Sequence, residues 1–161
     1  MAMGIINAYY TYVHGKRKED DIADRKRISS EIQKARTNLL NILEESSMAK
    51  QKDAADFARR TVDELDGFNN EVDLSEMGHN YPFFSIQRTT DSGAIEKLVG
   101  FDRTIIDRMA NVTEATLRLH DYMMDKKGDL DTVTELKKVR QYVSNARNAY
   151  KDRRDFIRGL K

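Results

Sequence analysis

The last third of the chain carries the clearest hydrophobic repeat. Its apolar residues recur at steps of three and four, the spacing that places side chains along one face of an α-helix. They are Leu136, Val139, Val143, Ala146, Tyr150, Ile157 and Leu160, with one gap at Arg153. Thr132 and Glu135 have the spacing of a capping box, in which each side chain satisfies the other's free backbone N–H. The pattern predicts a helix over residues 131–159.

A second apolar stripe of the same kind lies just before this helix. Its members are Leu98, Phe101, Ile105, Met109, Val112, Leu119 and Met123, with Thr116 at the one polar position. Lys126, Lys127 and Gly128 follow it. Cations and a glycine are typical of a helix C-terminus, because they oppose the negative dipole end and permit a left-handed turn. We therefore predict a helix over residues 93–127 that forms a tight hairpin with the last helix.

The first long element is predicted over residues 20–66. It starts with the heptad-spaced residues Ile28, Ile32, Ala35, Leu39 and Ile42. An eleven-residue spacing continues the same face through Ile32, Leu43, Ala54 and Leu65, and no glycine or proline interrupts it before Gly67. Such a helix is about 70 Å long, whereas the two hairpin helices reach only about 45–50 Å. The long helix must therefore overhang, kink near residues 46–53, or find a second partner.

Residues 67–92 are predicted to form an irregular connector, because the apolar periodicity disappears and turn residues such as Gly78 and Pro82 enter. A short helix, a strand over residues 81–90 and a functional loop remain open alternatives. Residues 1–19 form an N-terminal segment ahead of a single domain over residues 20–161. The predicted fold class is all-α: a long antiparallel helical bundle, coiled-coil-like, with three long helices. In an alternative version, the first helix is kinked into two.

Composition excludes several classes of protein. The 161 residues include no cysteine, which excludes disulfides, thiolate zinc sites and cysteine nucleophiles. No apolar run approaches the roughly 18 residues that a membrane-spanning helix needs, so the sequence supports neither a spanning helix nor a signal peptide. We expect a cytoplasmic protein, with peripheral membrane association as the alternative.

Catalytic and metal-binding motifs find little support in the sequence. Di-iron bundles need two Glu-x-x-His pairs, and this chain has one, Glu76 with His79, inside the predicted connector. His14 and His120 have no neighbouring constellation of acids, bases or ligands. Neither a glycine-rich phosphate loop nor a nucleophile elbow is present. We expect a non-enzymatic protein with no catalytic residues, no bound metal and no cofactor.

The charge is strongly polarised along the chain although the net charge is only +1. Residues 61–78 contain six acids and no base, whereas residues 137–161 contain nine bases and two acids. Most of these bases form a basic stripe on one helical face. The basic stripe consists of Arg140, Arg147, Lys151, Arg154, Arg158 and Lys161.

Two interpretations of the basic stripe are open. In the first, the stripe is a solvated flank of the bundle that faces the acidic segment of residues 63–76. In the second, it is a binding surface for phosphate, anionic lipid or an acidic partner. The first interpretation is favoured, because the opposing charge is available within the chain.

The N-terminal segment combines aromatic and apolar residues with clustered cations. Its candidate docking or anchor residues are Ile5, Ile6, Tyr9, Tyr10, Tyr12 and Val13, followed by the cations of residues 16–18. This combination suits an interfacial membrane anchor, because tyrosine keeps its hydroxyl wet while its ring is buried. It equally suits docking on the bundle or on another protomer. Docking is favoured, because a single short anchor rarely holds a protein to a membrane.

The functional hypothesis that these features favour is a protein–protein interaction or scaffold bundle that self-associates. Unequal helix lengths leave apolar surface for a second copy, so we expect a homo-oligomer with a further, unidentified protein partner. The alternative is an anion-binding module for nucleic acid or an anionic membrane surface, which would use the basic stripe of the last helix.

Overall fold

The computed structural model describes the backbone of residues 2–77, 92–125 and 131–159, and the side chains of residues 23–73, 96–125 and 131–156. Every regular element within these residues is an α-helix. The helices are α1 (Ala2–Met48), α2 (Lys52–Met77), α3 (Ser92–Asp125) and α4 (Thr132–Gly159). The prediction of an all-α bundle is confirmed, with four helices in the described part of the chain where three were preferred.

The predicted helix over residues 20–66 is broken into two by a sharp turn. Lys50 has a left-handed backbone with φ of 58°, and its N–H donates to the Ser47 carbonyl at 3.1 Å. The N–H of Gln51 donates to the Ser46 carbonyl at 2.9 Å, which completes a Schellman motif. Glycine usually takes the left-handed position, so the lysine itself did not mark the break. The alternative prediction, a first helix kinked into two near residues 46–53, agrees with the structure. Gln51 then begins α2 by accepting a hydrogen bond from the Ala55 N–H.

Two other helix boundaries also differ from the prediction. α1 begins at Ala2, so its backbone includes most of the N-terminal segment; the acids near residue 20 favour a helix start without requiring one. α2 continues through Gly67 to Met77, although the connector was predicted to begin at Gly67. A helical glycine costs about 1 kcal/mol relative to alanine, which burial of one neighbouring side chain such as Phe68 outweighs. Residues 78–91, the rest of the predicted connector, lie outside the described residues.

Each of the two helical hairpins is antiparallel. Within each hairpin, residues later in the first helix contact residues earlier in the second. The contacts are Ser29 with Asn69 and Arg36 with Asp66 between α1 and α2, and Asp102 with Arg153 and Arg108 with Asn145 between α3 and α4.

The two hairpins lie side by side and point the same way. Glu64 of α2 contacts Arg140 of α4, and Glu71 contacts Arg147, so α2 and α4 run parallel. Because each hairpin is antiparallel, α1 and α3 must also run parallel, and these two helices pack against each other. The expected antiparallel arrangement is therefore present within the hairpins and absent between them.

The start of α2 and the start of α4 lie at the same end of the bundle. An open pocket there is lined by residues 51–54 from the start of α2 and residues 131–133 from the start of α4. The Asp131 carboxylate caps α4 by accepting the N–H groups of Val133 at 3.1 Å and Thr134 at 3.3 Å. The cap is therefore Asp131, one residue before the predicted Thr132. The hydrogen bond from the Thr134 side chain lowers the pKa of Asp131 below its ordinary value.

The four helices enclose one apolar core. The heptad residues of α1 from Ile28 to Ile42 are buried, as are Leu136, Val143 and their apolar neighbours on α4. Phe68 of α2 packs edge-on against Tyr150 of α4, with ring centroids 5.7 Å apart. The apolar faces predicted for these helices are therefore the faces that pack together.

Truncation of a core residue gives a first prediction. Leu39→Ala should lower the free energy of unfolding by about 2–5 kcal/mol, because Leu39 is fully buried and its removal leaves a cavity. Leu40→Ala is the matched control, since the adjacent Leu40 is 37% exposed and should cost less than about 1 kcal/mol. Denaturant unfolding measures both, and equal costs would mean that the buried face of α1 is misassigned.

The turn between α1 and α2 gives a second prediction. Lys50→Gly should raise the free energy of unfolding by about 0.5–1 kcal/mol, because glycine adopts the left-handed backbone without the penalty of a side chain. Lys52→Gly makes the same chemical change inside α2 and should not stabilise the protein. Thermal and denaturant unfolding measure the difference. A loss of stability in Lys50→Gly would contradict the left-handed turn.

Candidate interaction surface

The acidic side chains of α2 contact basic residues on both neighbouring helices. On the α1 side, Arg36 Nε donates to Asp66 Oδ1 at 2.7 Å, with Nη2 at 3.4 Å from Oδ2. This two-pronged contact suits the planar guanidinium group and raises the pKa of Arg36 above its ordinary value.

On the α4 side, Glu64 is held by two groups. Arg140 Nε donates to one carboxylate oxygen at 3.1 Å, and the Ser144 hydroxyl donates to the other at 2.8 Å. The Arg140 guanidinium also lies over the Phe57 ring, 5.7 Å from its centroid, where the ring face attracts a cation.

One helical repeat further along, Arg147 makes the same kind of contact with Glu71. Arg147 Nε donates to Glu71 Oε1 at 3.1 Å, and this hydrogen bonding raises the pKa of Arg147. Gly67 lies beneath the guanidinium group, since a Cβ atom there would be 3.5 Å from Arg147 Nη2. Gly67, at which the connector was predicted to begin, thus lies within α2 beside the ion pair.

These two pairs form a regular Glu–Arg ladder, defined by Glu64 with Arg140 and Glu71 with Arg147. Each pair joins residues 76 positions apart, and the pairs are separated by seven residues on both helices. Such a repeat is typical of the charged flanks of parallel helices, where it sets partner choice and register.

The structure separates the six residues of the basic stripe into three groups. Arg140 and Arg147 bind the acidic segment through the Glu–Arg ladder. Lys151 is exposed, and Arg154 is half-buried with an Nε that has no hydrogen-bond partner among the described residues. The side chains of Arg158 and Lys161 lie outside the described residues.

A buried ion pair joins α3 and α4 towards the end of the bundle opposite the starts of α2 and α4. Arg153 donates through Nε to Asp102, and the two residues are only 6% and 8% exposed. Arg153 occupies the gap in the apolar stripe of α4, and Asp102 takes a core position three residues before Ile105. Sequence reasoning missed this pair, although opposite charges at core positions of two helices were a usable signal. Arg25 of α1 is also buried.

The contact between α1 and α3 contains a polar seam. Asn38 Nδ2 donates to the Thr116 hydroxyl at 3.1 Å, and the Thr113 hydroxyl donates to a Glu31 carboxylate oxygen at 2.9 Å. Thr116 is fully buried and donates in turn to the Val112 carbonyl. These bonds satisfy polar groups that would otherwise be costly to bury.

Large apolar side chains remain exposed along one face of α3. This α3 apolar stripe consists of Val99, Leu117 and Met124, which are 50%, 48% and 55% exposed. Leu117 lies one turn after Thr113, whose hydroxyl contacts α1, so the stripe follows the edge of α3 that borders α1. The charge and apolar patterns of the sequence did not single out this face, because the apolar repeat predicted for this helix belongs to its buried face.

The remaining candidate residues have no assembled site in the described structure. Among the described side chains, no three His, Asp or Glu residues are grouped as metal ligands. The side chains of Glu76, His79 and His14 lie outside the described residues, whereas His120 is described and half-buried. No helix within the described residues is both long and apolar enough to cross a membrane.

The N-terminal docking or anchor residues belong to α1 by their backbone. The side chains of Ile5, Ile6, Tyr9, Tyr10, Tyr12 and Val13 lie outside the described residues, so both interpretations of this segment stay predictions.

Comparison with known proteins gives no match, whether the chain is compared with family models, with curated proteins or with solved structures.

The Glu–Arg ladder gives a third prediction. Arg147→Glu should lower the free energy of unfolding by about 1 kcal/mol at low salt, because it places a second carboxylate against Glu71. The loss should shrink between about 0.01 M and about 1 M salt, where the Debye length falls from about 30 Å to about 3 Å. Thermal melting at both salt concentrations measures it.

Two matched variants control this experiment. Lys151→Glu makes the same change of sign at an exposed residue of the same helix and should alter the melting temperature little. Adding Glu71→Arg to Arg147→Glu exchanges the two charges and should recover part of the loss. Equal effects of Arg147→Glu and Lys151→Glu would show that the ladder does not stabilise the fold.

Proposed function

We propose that this chain is a non-enzymatic interaction protein that self-associates through the α3 apolar stripe. The observation that supports the proposal is the exposure of three large apolar side chains along one helical face. Scattered exposed apolar residues are normal on protein surfaces, whereas an aligned set along one helix is typical of an interaction surface. From Val99 to Met124 the stripe extends about 37 Å at 1.5 Å per residue.

The stripe suits a second copy of the same chain. In a two-fold dimer with the two α3 helices antiparallel, Val99 of one copy would face Met124 of the other. Leu117 would then lie opposite Ile106, a partly buried apolar residue on the same side of α3. Burying half of each exposed side chain contributes roughly 1 kcal/mol per residue, which is enough for association at micromolar concentrations only if the contact is well packed.

The unequal helix lengths also favour an interaction role. α1 has 47 residues and α2 has 26, so α2 can cover only part of the length of α1. The heptad spacing of the Glu–Arg ladder supports a coiled-coil-like packing of α2 on α4, and bundles of this kind commonly present long faces to partners.

Self-association gives a fourth prediction. Wild-type protein should form a dimer in sedimentation equilibrium at tens of micromolar, and Leu117→Lys with Met124→Lys should be monomeric. Leu40→Lys is the matched control, because Leu40 is also exposed but lies on α1, outside the α3 apolar stripe. It should leave the mass unchanged. A wild-type protein that remains monomeric, or a dimer that survives both stripe substitutions, would contradict the proposal.

A further inference from the structure

The Glu–Arg ladder stops while the basic stripe of α4 continues. In the ladder, each arginine lies 76 positions after its glutamate, and the pairs repeat every seven residues. The next basic residue in this register is Arg154, and the residue 76 positions before it is Gly78. Gly78 follows the last residue of α2 and has no carboxylate. The register position of a third pair therefore holds no acid.

Arg154 lacks the kind of acceptor that Arg140 and Arg147 have. Its Nε is shielded from solvent and has no hydrogen-bond partner within the described part of the chain. Lys151, one turn earlier on the same face, is exposed and has no ion pair with any described residue. The Arg154 guanidinium has lost water at Nε without gaining a bond there, and because the residue is only half-buried, its charge can still be reached by an external acceptor.

The segment after α2 brings no surplus of negative charge to this end of α4. Residues 78–91 contain one acid, Asp91, and one base, Arg88. From residue 151 onward the chain contains five bases and two acids, and one of those bases, Arg153, is bound to Asp102. The composition of the connector therefore leaves the positive charge of this region unbalanced.

We propose that Lys151 and Arg154 bind a carboxylate-bearing helical segment of a partner protein, which continues the track of α2 along α4. The existing pairs support this chemistry, because the same face of α4 already binds glutamates presented by a parallel helix. The inference deepens the proposed interaction function and rests on it, since it names a second surface and the chemistry of its partner.

A protein carboxylate fits this surface better than a long polyanion does. A nucleic acid or a membrane surface that followed the basic stripe would meet the carboxylates of Glu64 and Glu71 on the adjoining helix. The net charge of +1 also provides little long-range attraction for a polyanion. The partner is therefore a short acidic segment confined to the distal part of α4.

The test is an NMR titration of the full, nitrogen-15-labelled chain with a synthetic helical peptide that carries glutamate at every seventh position. A control peptide carries glutamine at those positions. The Nε–Hε signal of Arg154 should shift with the glutamate peptide only. The corresponding signal of Arg140, which is already bonded to Glu64, should not move. An Arg154 signal that stays fixed, or that shifts equally with both peptides, would overturn the inference.

Three variants refine the titration. Arg154→Gln should weaken binding of the glutamate peptide about tenfold, as expected for the loss of one charge-assisted hydrogen bond. Lys151→Gln changes an exposed residue without endangering the fold and should weaken binding about threefold. Lys137→Gln, an exposed lysine near the other end of α4, should bind as wild type. Unchanged affinity in both of the first two variants would reject the site.

Two further outcomes separate this inference from its alternatives. If a single-stranded oligonucleotide or an anionic vesicle bound at Arg154 more tightly than the glutamate peptide, the choice of a protein carboxylate would be overturned. A monomeric chain whose Arg154 signal shifts would reject self-association alone, whereas a dimer whose Arg154 signal stays fixed would reject this inference alone.

Discussion

Ion pairs on both sides of α2 determine which helices lie next to it. A helix with so many acidic residues is destabilised by repulsion between like charges when it is alone. Arg36 of α1 neutralises one edge of α2, and Arg140 and Arg147 of α4 neutralise the other. Because these pairs are partly exposed, each contributes a modest free energy, and the apolar core provides most of the stability. The main effect of the pairs is to select neighbours, direction and register.

This selection accounts for the side-by-side arrangement of the hairpins and for the surfaces that remain open. Parallel α2 and α4 place the starts of these two helices at one end of the bundle, and the buried pair of Asp102 with Arg153 lies towards the other. α2 ends before the basic stripe does, so no acid of α2 among the described side chains pairs with Lys151 or Arg154. The polar seam fixes α1 against α3 and leaves the α3 apolar stripe outside the core.

Periodicity predicted the buried faces of the helices well, because burial of one face imposes the repeat on the sequence. Leu39, for example, lies in a regular heptad and is fully buried. The unequal helix lengths indicated a kink near residues 46–53 as one alternative, but no residue marked its position, because Lys50 occupies a turn position where glycine is usual. The pair of Asp102 with Arg153 was missed because a charge within an apolar stripe looks like a gap until its partner is known. Opposite charges indicated the contact of Arg147 with the acidic segment. They show only that two segments attract each other, so they could not reveal that α2 and α4 run parallel.

Distances between spin labels test the parallel arrangement of α2 and α4 most directly. The chain has no cysteine, so labels can be attached through Arg60→Cys combined with either Lys137→Cys or Lys151→Cys, all at exposed residues. The 76-residue register of the Glu–Arg ladder places Arg60 almost level with Lys137, and Lys151 lies about 21 Å further along α4 at 1.5 Å per residue. Parallel helices give a clearly shorter distance for Arg60 with Lys137 than for Arg60 with Lys151. The opposite order would mean that α2 and α4 are antiparallel and would contradict the parallel packing set by the Glu–Arg ladder.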